Sequence, residues 1–162
     1  MGIVLGAVAV AVASILPAGG DPGASLSFAA EPGAFPVSAT SGEWATPVQE
    51  VRAWEHDNVI TVDGETDNGF TWLVVELAGA DGAPLAPGTY TGVTNRYLHP
   101  ENAGITVISN GLACGEDHAE FTIGTLERDA STGRLTALDV AITHRCGAPT
   151  APALTATAHF RA

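Results

Sequence analysis

The stretch "HAEFTIGTLERDASTGRLTALDVAITH", His118 to His144, decides the fold. Two segments in which apolar residues recur at every second position, "HAEFTIGTLE" and "RLTALDVAITH", flank the polar "RDASTG". A period of two belongs to strands, because successive side chains leave opposite faces of an extended backbone. Gly133 stands where the turn needs a left-handed residue. The reading is a long antiparallel hairpin.

The same signature recurs on both sides of the hairpin. "SLSFAA" puts Leu26, Phe28 and Ala30 on one face, and "ALTATAHF" puts Leu154, Ala156, Ala158 and Phe160 on one face. "NVITV", "GTYTGVT" and "GITVIS" are further short extended segments. "FTWLVVEL" is apolar on both faces, with Leu73, Val75 and Leu77 against Phe70, Trp72 and Val74, which suits a central strand. Ten prolines and nineteen glycines punctuate the chain, and no 3.6-residue pattern survives for three turns. About eight short strands with turn signals at this spacing predict an all-β domain over residues 25–162, an antiparallel β-sandwich or jelly roll. "AEPGAFPVSATSGEWATP" is expected to cross between its sheets.

Residues 1–24 read differently. Ile3 to Leu16 is an uninterrupted run of small and apolar residues closed by Pro17, as in the apolar region of a signal peptide. It falls short of the roughly 20 residues that span a bilayer, although no positive charge precedes it. Export is therefore expected, to the cell exterior, with no stable membrane anchor after leader cleavage. The 162-residue chain has 18 acids against 6 basic residues, all arginine, and a formal charge of −12. That balance excludes nucleic acid and anionic lipid as natural partners, since both demand basic patches.

"LACGEDHAEF" places Cys114, two acids and His118 together, and Cys146 is the second of the chain's two cysteines. An even count in an exported chain favours a disulfide. Alternation through Leu138, Val140, Ile142 and His144 carries Cys146 to the inward face, at the same end of the hairpin as Cys114. The competing reading is a zinc site built from Cys114, His118, His144 and Cys146. Its C-x3-H and H-x-C spacings match no common structural pattern, and the disulfide is preferred. Glu116 and Asp117 then read as a polar turn, and His118 as a surface residue.

Other constellations carry less. "DGETDNG" sets Asp63, Glu65 and Asp67 at alternate positions, as a calcium loop would, but lacks the glycine and the closing acid of an EF-hand and reads as a hairpin turn. No nucleophile elbow and no cofactor-binding motif is present, so no catalytic residue, metal ligand or cofactor is assigned. Trp44, Tyr90 and Tyr97 are the candidates for stacking sugar rings on one face; the competing role for each is packing.

"TWLVVELAGADGAPLAPGTYTGVTNRY", "GITVISNGLAC", "FTIGTLERDASTGRLTALDVAITHRCG" and "ALTATAHFRA" together resemble a small disulfide-containing β-sandwich domain of secreted bacterial proteins. "PGTY" (Pro87 to Tyr90), Cys114, Phe121, Gly133 and Cys146 fall on that domain's pattern. The likeness spans Phe70 to Arg161 and, briefly, Ser25 to Gly33. It implies an extracellular module with one disulfide, and no activity that could be carried over. The expectation is a secreted module with a binding or structural role toward an extracellular protein or glycan. A carbohydrate-binding module of the cell envelope is the first alternative, and a metal-dependent hydrolase the second.

Overall fold

A computed structural model describes residues 23–66 and 71–162. The expected leader lies outside them except for Gly23 and Ala24. Those two residues open the first strand, opposite Arg161 and Phe160.

Eleven strands form among the described residues: β1 (Gly23–Ala30), β2 (Ser41–Ala45), β3 (Glu50–His56), β4 (Val59–Glu65), β5 (Trp72–Ala78), β6 (Gly88–Asn95), β7 (Gly104–Ser109), β8 (Leu112–Ala113), β9 (Asp117–Arg128), β10 (Leu135–Cys146) and β11 (Ala153–Arg161). The all-β expectation holds. The count of eight does not, because β2, β3 and β8 add to it. The expected pair of stacked sheets also gives way to a single hydrogen-bonded sheet, ordered β2-β1-β11-β10-β9-β6-β7-β5-β4-β3, with β8 on β7.

This sheet is rolled into a nearly closed, barrel-like form. Its two ends, β2 and β3, are consecutive in the chain and joined by residues 46–49 alone. So short a link reaches no more than about 18 Å even when extended, and here it is folded tighter: Gln49 N donates to Ala45 O at 2.9 Å. The crossing expected somewhere in residues 30–47 is made at this turn; the preceding loop only doubles back so that β2 pairs with β1. At the opposite corner β6 and β7 run parallel for two residue pairs, Thr94 with Gly104 and Asn95 with Ile105.

Alternation fills the roll. Leu73, Val75 and Leu77 of β5 are fully buried, as are Leu26, Ile60, Ile105, Val107, Leu138 and Leu154 from the other strands. Gly64 lets β4 lie close beneath β1 and β2, since a Cβ there would sit 2.9 Å from Leu26 Cδ2 and 3.0 Å from Trp44 Cε3. In the central hairpin, Asp139 pairs with Thr125 and Val140 with Ile123, so Gly124 is the extra residue of a bulge. The hairpin turn is closed by Asp129, whose Oδ1 accepts from Ser131 N, Ser131 Oγ, Thr132 N and Thr132 Oγ1 at 2.6–3.0 Å. Those hydroxyls and amides hold its carboxyl down at about 2. Gly133 takes φ +72°, as the turn requires.

Each end of the roll is fastened differently. At the turn end, Arg128 binds Glu55 through both guanidinium and carboxylate pairs (2.5 and 2.8 Å) and also donates to Leu85 O at 3.1 Å. At the open end of the hairpin, Cys114 and Cys146 form the expected disulfide, with Cα atoms 5.7 Å apart. By loop-closure entropy a crosslink over 32 positions contributes roughly 3.5–4 kcal/mol.

Candidate functional site

Two places in this fold gather chemistry, and the first lies under the disulfide. His144 projects inward from β10, as its parity predicts, and is fully buried. A buried imidazole needs a partner, and Asp117 supplies it: Oδ1 stands 2.6 Å from His144 Nε2. Asp117 is thus not part of a polar turn but the first residue of β9, with 1% of its surface exposed. Its other oxygen accepts from Asn95 Nδ2 at 2.6 Å. Asn95 Oδ1 in turn accepts from the amides of Tyr97 (3.0 Å) and Leu98 (3.2 Å). Nδ1 of His144 has no hydrogen-bond partner among the described residues. His118, one position along from Asp117, leaves the opposite face of the strand, so the four-ligand set weighed for zinc is not assembled. Sequence reasoning missed Asp117 and Asn95. The signal for Asp117 was available: an inward histidine facing an acid at the start of the adjacent strand.

The second place is an outer face. Of the three aromatics expected to stack sugars, two are turned into the fold. Trp44 is 4% exposed and stacks on Phe28 with ring centroids 5.2 Å apart. Tyr90 stacks on Phe121 at 4.6 Å and donates its hydroxyl to Ala86 O at 2.9 Å. Tyr97 is different, at 64% exposed. Its ring lies beneath the Arg96 guanidinium, 4.0 Å from Cζ to centroid. Arg96 Nε donates to Glu76 Oε2 at 2.8 Å, and the Tyr97 hydroxyl reaches the same oxygen at 3.4 Å.

Glu76 belongs to a row in strict register: Trp54 of β3, Thr61 of β4, Glu76 of β5 and Thr106 of β7. All four leave the outer side of the sheet, since their neighbours Ala53, Ile60, Val75 and Ile105 face the core. Trp54 is 41% exposed, which sequence reading did not anticipate because β3 itself was not recognised. Strand spacing puts Trp54 and Glu76 roughly 10 Å apart. The face therefore carries one aromatic on either side of a charged pair. The Arg96 backbone lies directly on Gly104, where a Cβ would come within 2.7 Å of Arg96 Cα, so Tyr97 is presented from a fixed segment.

The remaining candidates are spread more thinly. The outer face of β1, β11, β10, β9 and β6 carries hydroxyls in register, with Ser27 bonded to Thr157 (2.6 Å) and Thr89 to Thr122 (3.0 Å). Beside them lies a shallow depression of about 370 Å³ lined by Thr94, His118, Glu120, Thr143 and Arg145, among others. Asp63 and Glu65 lie on β4, and Asp67 falls outside the described residues. Burial raises the Asp63 carboxyl, and a hydrogen bond with Glu50 raises that of Glu65, in both cases against the opposing pull of the Arg52 guanidinium.

Fold and faces together define an all-β domain with one disulfide, whose outer side carries the exposed rings of Trp54 and Tyr97 around the Arg96–Glu76 pair, with Thr61 and Thr106 of the same row buried. Comparison with protein-family models, with curated proteins and with solved structures finds no match. No helix among the described residues is long and apolar enough to cross a membrane.

Proposed function

We propose that this chain is an extracellular binding module that holds a neutral polysaccharide against the Trp54–Tyr97 face. The observation that carries the reading is the pairing of two exposed rings on one rigid four-stranded surface, on either side of Arg96 and Glu76. Aromatic faces stack on the apolar side of sugar rings, and a carboxylate and guanidinium between them accept and donate to hydroxyls. The two rings are far enough apart to take separate sugars of one chain. A net charge of −12 favours a neutral polymer over a polyanion. The disulfide and the expected leader agree with an oxidising, extracellular setting, as does the resemblance to small secreted bacterial domains.

The test is retention on insoluble cellulose, chitin and cell-wall glycan, together with quenching of tryptophan fluorescence by soluble oligosaccharides. Trp54→Ala and Tyr97→Ala are each expected to abolish retention while the fold persists. Retention on none of these polymers, or retention unchanged in both variants, would sink the proposal. A protein partner bound along the hydroxyl-lined face of β11, β10 and β9 is the second reading, favoured by the registered threonines there.

A further inference from the structure

We infer that Cys114, Cys146, Asp117 and His144 make up a second, latent site: a divalent-metal centre of zinc type that the disulfide keeps closed and reduction opens. One ligating atom from each of Cys114, Asp117 and His144 lies within 4.8 Å of the others, and all three residues are buried. The sulfur of Cys146 is bonded to that of Cys114 and belongs to the same cluster. Two thiolates, one imidazole and one carboxylate are a donor set suited to zinc. The set differs from the one the sequence suggests by a single exchange, in which Asp117 replaces His118.

The surroundings are those a metal site uses. The carboxylate oxygen not facing His144 is held by Asn95 Nδ2 at 2.6 Å, and hydrogen bonds of this kind orient ligating carboxylates. Asp117 is the imidazole's one hydrogen-bond partner among the described residues, since its Nδ1 has none. The ring can turn toward an ion without breaking a second hydrogen bond. Tetrahedral zinc sets its donor atoms about 3.3–3.8 Å apart. The Asp117–His144 contact at 2.6 Å therefore has to open by less than the width of an atom. The bonded sulfurs have to separate, and that step is the gate.

The chemistry balances with a dithiol as reductant. It delivers two electrons and two protons and closes into its own disulfide; the Cys114–Cys146 bond breaks and each sulfur becomes a thiol. The entering M²⁺ displaces both thiol protons to solvent. Disulfide and metal are thus alternative fastenings for one end of the hairpin.

The experiment uses the full chain, reduced without oxygen by a phosphine, which leaves as its oxide, and titrated with Co²⁺. Expected are thiolate-to-cobalt charge-transfer bands and intense tetrahedral visible bands at one ion per chain, displaced by Zn²⁺ and absent from the oxidised protein. Asp117→Ala and His144→Ala should each weaken cobalt binding at least about tenfold. A reduced chain that shows only the spectrum of hydrated cobalt would overturn the inference. Equal affinity in wild type and both variants would also overturn it, because two thiols alone would then account for binding. Should reduction unfold the chain, recovery of its β-sheet circular dichroism at one equivalent of metal supports the site, and failure to recover refutes it.

Discussion

Asn95 and Asp117 are bonded across the β6–β9 boundary at 2.6 Å, and through that one bond the buried His144 is linked to the backbone that presents Tyr97. The amide of Asn95 is used at both ends, donating to the carboxylate and accepting from Tyr97 N and Leu98 N. A carboxamide supplies both the donor and the acceptor at once, and Gln would carry it one methylene further out.

Asn95→Ala should therefore lower stability by about 1–3 kcal/mol in urea denaturation, since it leaves a buried carboxylate short of a donor. Asn95→Asp should cost more, because it sets a second carboxylate against Asp117. If the first variant is as stable as wild type, Asn95 does not hold these two elements together. Glycan retention in Asn95→Ala should fall along with Tyr97 order.

Two tryptophans are predicted to part company. Trp44 is packed on Phe28 inside the roll, so Trp44→Ala should destabilise by roughly 3–5 kcal/mol. Trp54→Ala should change stability by less than about 0.5 kcal/mol and remove polysaccharide retention. Measuring both properties on both variants separates core from platform; a large stability loss for Trp54→Ala would count against the platform.

Asp139 gives a pH signature. Burial pushes its carboxyl up, but bonds from Arg161, Thr125 and His159 outweigh that and hold it at about 2. The folded value lies below the unfolded value near 3.9, so the stabilisation is complete above about pH 5 and is lost as the pH falls toward 2. The gap in melting temperature between wild type and Asp139→Asn should thus shrink steadily from pH 5 to pH 2. A gap that stays constant would show that the charge of Asp139 is not what stabilises this corner.

Closure of the roll can be probed at Gly64. A methyl there meets Leu26 and Trp44 at 2.9–3.0 Å, and both are buried, so Gly64→Ala should cost about 1–3 kcal/mol through overpacking. Adding Leu26→Val to the same chain should recover part of that loss if the contact is the cause.

The strands that read clearly in the sequence are those whose inner faces are uniformly apolar. Leu73, Val75 and Leu77 mark β5, and Leu138, Val140 and Ile142 mark β10. β3 was hidden because its inward positions are Val51, Ala53 and Glu55, and the acid breaks the pattern. Only the tertiary partner Arg128, 73 positions away, makes a buried carboxylate acceptable there. The β3–β4 turn, Asp57–Asn58, has both φ values positive and was a legible hairpin signal that the more conspicuous "DGETDNG" obscured. Missing β3 meant that Trp54 had no assigned face. The cysteine pairing was legible from parity; Asp117 was legible only by setting the inward His144 against the start of the neighbouring strand, because a strand that opens on a buried acid otherwise looks like a turn.

The four-residue link from β2 to β3 has a consequence for association. An open sheet of this width would offer two unpaired backbone ladders, each a template for another chain's strand. Here the two rims are drawn toward each other. One is a five-residue strand, and the other carries Glu50, Arg52 and His56 along its outer side. Growth by strand addition has no long, flat, uncharged rim on which to begin, so concentrated or partly dehydrated protein should resist fibre formation as long as that link holds.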